Sequence, residues 1–193
     1  MAKRAVQFIQ GGYYHVYNRG ANRQAIFKSD KNYVYLLRQV KEAAQQHAIA
    51  MIAYCLMPNH YHFVVRQEGE QLVSLFVQAI FNSYTKAFNK MWGRSGTLFE
   101  GPFKSIHITH DEYLLHLCRY VHLNPVAANL VHQPEQWAYS NCAGWLGLRS
   151  GTLVDQEFVR GHFPMPEAYR KFLADAPPKH VERAVQGLTL EGD

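Results

Sequence analysis

Only three cysteines occur in the 193 residues, Cys55, Cys118 and Cys142, widely separated and odd in number. Without a CxxC pair the chain offers neither a zinc ribbon nor a disulfide framework, and each thiol is expected to stay reduced in a cytosolic setting. No apolar run approaches the roughly 20 residues that cross a bilayer. The opening MAKRAVQFIQGG is basic but has no apolar segment of the kind a secretory signal needs. Internal repeats and low-complexity tracts are also missing. These absences predict a soluble, intracellular protein with no membrane partner.

What is abundant is aromatic and imidazole chemistry. Aromatic residues make up 13%, with 12 Tyr and 11 Phe, and there are 11 His. Histidine serves as metal ligand, acid or base, so this is the most telling excess. Lys and Arg number 20 against 15 Asp and Glu, a net charge of +5. That balance suits a polyanionic partner without identifying one. Hydrophobic residues at 48% and charged residues at 18% are ordinary for a globular chain. The length suits one domain with an extension.

Element signals follow in a regular order. Residues 12–18 (GYYHVYN) are aromatic and β-branched and read as a strand. After Ser29-Asp30, a capping signal, Tyr33, Leu36, Leu37, Val40, Ala43, Ala44 and His47 recur at helical steps. Residues 49–57 are nearly all apolar and read as a buried strand. Pro58-Asn59 is a turn, and residues 60–66 (HYHFVVR) return as the second arm of a hairpin. A long helix over about 70–91 places Leu72, Leu75, Phe76, Ala79, Ile80, Ser83 and Ala87 on one side. Residues 97–108 read as a strand bent at Gly101-Pro102. A third helix runs from Asp111 to about Leu123 and is expected to stop at Pro125. The order is β-α-β-β-α-β plus a helix, an α+β, ferredoxin-like four-stranded antiparallel sheet with two helices on one face. Its first and third strands are central. Beyond about residue 130, Trp137, Tyr139 and Trp145 suggest a tail packed on the domain. Ala176-Pro177-Pro178 and the last ten residues read as loose ends.

Side chains alternate along a strand, so His60 and His62 share one face with Val64, while Tyr61, Phe63 and Val65 face the packing helices. Two imidazoles one pleat apart on the helix-free face can jointly hold a divalent ion. The spacing alone is not specific in so histidine-rich a chain, and two half-exposed strand histidines satisfy it equally. On the third helix Tyr120 and Asn124 are four residues apart and lie on one face. If that helix crosses the open sheet face, a phenol and an amide oxygen point toward the histidine pair. Such an ion keeps open positions for a phosphate and acts on it as a Lewis acid. A tyrosine hydroxyl, with a pKa around 10, needs that help or a neighbouring cation to attack. An amphipathic core tyrosine and an ordinary helix-terminal asparagine are the structural alternatives.

Those residues lie in stretches that resemble a known family. MPNHYHFVV (57–65) followed by RYVHLNPV (119–126) is similar to the HUH single-tyrosine transposases of bacterial insertion sequences. HVYNRGANRQAIF (15–27) and GPFKSIHI (101–108) extend the match over roughly residues 10–132. Within that group the chain most resembles the REP-associated tyrosine transposases. The resemblance implies a catalytic domain over 1–132 and a C-terminal extension over 133–193. It implies metal-dependent cleavage and rejoining of single-stranded DNA at hairpins or REP-like palindromes, through a 5′-phosphotyrosine. Carried over by motif position, Tyr120 is the nucleophile, and His60 and His62 are ligands to Mg²⁺ or Mn²⁺. Asn124 completes the metal site at a position where some members carry glutamine. Imidazoles by themselves favour later transition metals, so the substrate phosphate and water must make the site harder. The covalent bond stores the energy of the broken one, so no nucleotide cofactor is expected, and no GxxxxGK[ST] motif is present.

Candidates for phosphate contact are Arg19, Arg23, Lys86, Lys90, Lys104 and Arg119. Tyr13, Tyr17 and Phe103 are candidates for stacking on unpaired bases. Each has a plain reading as a solvated charge or a packed ring. His107, His110, His116 and His122 receive no role. A catalytically silent hairpin-binding regulator is the main alternative. An RNA-recognition module shares the topology but lacks its aromatic signature here, and replication initiators of similar chemistry usually need a longer chain. Localisation in the bacterial cytoplasm, associated with the nucleoid, and a monomer or a homodimer follow as further expectations.

Overall fold

The computed structural model describes residues 6–151 and 153–186. Four strands, β1 (Tyr13–Arg19), β2 (Ile49–Met57), β3 (His60–Gln67) and β4 (Lys104–Ile108), form one antiparallel sheet in the order β2-β3-β1-β4. Helices α1 (Asp30–Gln46) and α2 (Val73–Met91) cover one face, and α3 (Asp111–Ala127) crosses the other. This is the ferredoxin-like arrangement, with β1 and β3 in the centre.

Alternation along the strands divides the core in two. Tyr14 and Val16 of β1, and Tyr61, Phe63 and Val65 of β3, pack under α1 and α2. Val64 packs under α3 with Leu114, Leu117, Cys118 and Val121. On β2 the alternation breaks, because Ile52 and Ala53 both join the α3 side while Met51 and Tyr54 face the other. A register irregularity between Met51 and Ala53 accounts for this. A bulge inserts one residue and shifts the phase of every residue after it.

The tail is built onto this sheet. Residues 137–141 run along the outer edge of β2: Leu56 N donates to Tyr139 O, Asn141 N to Tyr54 O, and Trp137 Nε1 to Leu56 O. The bulge carbonyl Ile52 O accepts from both Asn141 Nδ2 (2.9 Å) and Trp145 Nε1 (3.0 Å). Edge strands expose unpaired donors and acceptors that must be covered, and the tail meets that need. Helices α4 (Cys142–Trp145), α5 (Gln156–His162), α6 (Pro166–Ala174) and α7 (Lys179–Gln186) follow, their apolar residues joining the α3-side core.

Four expectations change. α3 continues through Pro125 to Ala127. Proline removes one helical hydrogen bond, but it sits in the last turns, is buried, and its own carbonyl accepts from Leu130 N. Residues 97–103 are not strand; only Phe99 bridges to Gly20, and β4 begins at Lys104, beyond Pro102. The buried stripe of α2 is Val73, Phe76, Val77, Ile80, Phe81, Tyr84 and Phe88, whereas Leu72 and Leu75 are exposed. The aromatic rings, larger than the leucines, set the helix rotation. Finally, α7 packs on α3 with Val181 and Val185 buried, so residues 184–186, the first of the ten terminal residues expected to be loose, are helical. Residues 187–193, also expected to be loose, lie outside the described residues.

Candidate catalytic site

The site begins at the tight turn between β2 and β3. Met57 pairs with His60, so Pro58-Asn59 is a two-residue loop without the glycine such hairpins favour. A second loop, residues 20–27, holds it from outside. Gly20 N donates to Asn59 O (2.8 Å), Ile26 N and Phe27 N donate to Pro58 O, and Asn59 Nδ2 donates to Arg23 O. Gly20 is required by close approach: a Cβ there would lie 2.2 Å from Gln24 O. Asn22 and Arg23 adopt left-handed backbone to complete the curl.

His60 leaves this turn half-buried, and His62 follows with no exposure at all. Their rings meet edge to face at 5.0 Å. From α3, Asn124 presents its amide to both: Oδ1 lies 3.3 Å from His60 Nε2, and Nδ2 lies 3.5 Å from His62 Nε2. One turn earlier, the Tyr120 ring stands edge-on to His62 at 5.6 Å. Thus the four residues singled out from the sequence, on two elements 60 residues apart, converge. A cavity of about 470 Å³ opens beside Tyr120 and Asn124, bounded by His116 and Arg119 on α3 and by Ala176 and Glu182 of the tail.

Electrostatics favour neutral imidazoles. Burial lowers the His60 pKa to about 4, with Arg19 lowering it further and the Asn124 contact opposing. Burial also holds His62 well below its ordinary value, helped by His15 and His60. A neutral imidazole has a single N–H. His60 Nδ1 lies 2.7 Å from Asn59 Oδ1; with the proton spent there, the Nε2 lone pair faces the Asn124 oxygen, acceptor against acceptor. A divalent cation resolves such an opposition, so His60, His62 and Asn124 fit one chemically. Among the described residues no three His, Cys, Asp or Glu gather as a metal-binding group. A cation held here would rest on two imidazole nitrogens and one amide oxygen.

The basic candidates are dispersed. Arg19 pairs with His60 across β1 and β3 and is bound to Glu100 at 2.9 Å. Arg23 is exposed on the clamping loop, and Lys104 is exposed at the start of β4 beside Tyr17 in register. Lys86 and Lys90 are exposed on α2, across the sheet from α3. Arg119 donates to Leu173 O at the end of α6 (3.2 Å). Among the aromatic candidates Tyr17 is 5% exposed and stacked on His15 at 4.6 Å, so its face is already taken. Tyr13 is half-buried against Phe158 and Arg66, and Phe103 is half-buried.

Two residues at the site escaped the sequence reading. In the sequence Asn59 reads only as a turn former. His15 was passed over, although period-2 alternation on β1 and the central β1–β3 pairing together put it on the His62 face. Its Nε2 lies 3.0 Å from His62 Nδ1, fully buried.

The chain belongs to the IS200-like transposase family, a class of DNA-cleaving and rejoining enzymes, whose model matches residues 9–124. Among solved structures it is similar to a REP-associated tyrosine transposase bound to a REP hairpin. The TM-score is 0.63 at 20% identity, over 80% of this chain and 94% of that one. A putative transposase from Deinococcus radiodurans R1 aligns with a TM-score of 0.44 at 14% identity, over 62% of this chain and 95% of that one. No curated protein matches significantly. No described helix is long and apolar enough to cross a membrane.

Proposed function

We propose that the chain nicks and rejoins single-stranded DNA at hairpin or palindromic sites through a 5′-phosphotyrosine on Tyr120. The observation that carries this reading is the convergence of Tyr120 and Asn124 of α3 on the buried pair His60 and His62 of β3. His60, His62 and Asn124 would hold Mg²⁺ or Mn²⁺, which when bound supplies Lewis-acid polarisation of the scissile phosphate. α3 would bring the Tyr120 hydroxyl to that phosphorus. The tyrosine Oη–P bond forms as the P–O3′ bond breaks; the phenolic proton leaves and the departing 3′ oxygen takes one up. Rejoining is the reverse, with a 3′-OH displacing the tyrosine, so no nucleotide cofactor enters.

Arg19, Arg23, Lys104 and Arg119 lie on elements that reach the site and are proposed to contact phosphates; Lys86 and Lys90 would touch only DNA that wraps to the α2 side. A hairpin substrate is supported by the related fold whose solved structure holds a REP hairpin. Residues 1–132 are proposed as the catalytic domain and 133–193 as its extension, acting in the cytoplasm at the nucleoid as a monomer or homodimer.

The test is covalent capture. Protein, Mn²⁺ and labelled single-stranded hairpins, including palindromes flanking the protein's own gene, are incubated and run on a denaturing gel. A shifted band absent in Tyr120→Phe, and absent when His60 and His62 are both changed to Ala, is the expected outcome. Hairpin binding without any adduct would replace this reading with that of a silent regulatory binder.

A further inference from the structure

Histidines that bind metals through Nε2 generally use the other ring nitrogen as a donor to a fixed acceptor, which sets both tautomer and ring orientation. For His62 that acceptor is unusual. Its Nδ1 faces no carboxylate or carbonyl but the Nε2 of a second buried imidazole, His15, at 3.0 Å. The two rings are stacked with 17° between planes and centroids 5.2 Å apart, and both residues have zero exposure. Tyr17 stacks on His15 at 4.6 Å and lies tilted to His62 at 6.1 Å, limiting how far either ring can turn. Two imidazole nitrogens at this distance form a hydrogen bond only if one carries a proton and the other a lone pair. On its other side, His62 Nε2 lies 3.5 Å from Asn124 Nδ2, a contact that suits a lone pair at Nε2.

We infer that His15 is a positioning residue that accepts the His62 Nδ1–H, fixing His62 in the Nδ1-protonated form with its Nε2 lone pair turned toward Asn124. Register explains the reach. His15 is directly opposite Val64, and His62 opposite Tyr17, so the imidazoles are diagonal neighbours on one face of the β1–β3 pair. β1 therefore contributes a residue to the site without touching substrate. This deepens the reading of His62 as a metal ligand and rests on it for its consequence, though not for the tautomer itself.

The experiment separates the two. In metal-free protein, nitrogen-15 NMR of the imidazoles reports which His62 nitrogen carries the proton; Nδ1–H is expected, and an Nε2–H form in the unmodified chain overturns the inference outright. Mn²⁺ affinity is then followed by electron paramagnetic resonance in His15→Phe, which fills the space without an acceptor, and in His15→Gln, whose Oε1 restores one. A loss of about 10- to 100-fold in the Phe variant, with substantial recovery in Gln and unchanged circular dichroism in both, supports the assignment. Equal affinity in all three folded proteins refutes it, as does an equal loss in both variants, which marks His15 as packing alone. Should the unmodified protein bind no Mn²⁺, the metal reading fails while the tautomer measurement still decides the role of His15.

Discussion

Lowering the pH from 7.5 to 5 is expected to cost about 2 kcal/mol of folding stability through His122 alone. His122 is fully buried on α3, with Nε2 2.8 Å from Asn141 Oδ1 and Nδ1 2.5 Å from the Tyr169 hydroxyl. Asn141 Oδ1 also accepts from Tyr54 N, so the imidazole must donate through Nε2 and accept the tyrosine proton at Nδ1. Burial lowers its pKa from 6.5 to about 4. Between those values the unfolded chain binds the extra proton and the folded chain refuses it. Stability is therefore complete above about 6.5 and is lost as pH falls toward 4. Integrating the linkage gives about 2 kcal/mol at pH 5 and about 3 kcal/mol at pH 4. Urea unfolding at pH 7.5 and 5 measures it, with His122→Gln as comparison, since an amide can donate to Asn141 and accept from Tyr169 without titrating. His60 and His62 are shifted in the same direction and contribute in both proteins, so the difference isolates His122. The variant should lose about 2 kcal/mol less than the unmodified chain between the two pH values; equal losses would refute the reasoning.

Gly20→Ala forces a Cβ to within 2.2 Å of the Gln24 carbonyl and should cost about 1–3 kcal/mol by overpacking, read as a lower denaturant midpoint. Trp145→Ala empties a site 2% exposed and leaves one Ile52 O bond unmade; a loss of about 3–5 kcal/mol is expected in the same assay. Arg19→Ala removes a partly exposed pair with Glu100 and should change stability by no more than about 1 kcal/mol. If Arg19 contacts a phosphate, the same variant should flatten the dependence of log affinity for single-stranded hairpins on log salt by about 0.7, and an unchanged slope removes it from the DNA interface.

The sheet was legible because its strands announce themselves locally: an apolar block at 49–57, a turn at Pro58-Asn59, and alternation in HYHFVV. The convergence of Tyr120 and Asn124 on the histidine pair was legible too, because helix periodicity and strand alternation each fix a face, and the topology brings the faces together. What stayed hidden depends on tertiary balance. Pro125 reads as a stop, yet one missing hydrogen bond does not outweigh burial of the last turn against the sheet. The stripe of α2 was misphased because that helix is apolar on more than one side, and ring volume rather than hydropathy chose the buried face. The bulge at Ile52 has no local signal; its carbonyl is satisfied by Asn141 and Trp145, about 90 residues downstream. His15 was concealed for a related reason: its importance lies in a single cross-strand contact, and nothing near it in sequence marks it.

The seal on β2 has a consequence in time. Trp137 follows Leu56, whose carbonyl it caps, by 81 residues. At ribosomal rates of about 5–20 residues per second, roughly 4–16 s separate their synthesis. Throughout that interval the outer edge of β2, nearly all apolar from Ile49 to Met57, has no partner of its own. A nascent chain in this state can add a strand from a neighbouring copy, so the yield of native protein should depend on how quickly translation passes Ser140 and how crowded the polysome is.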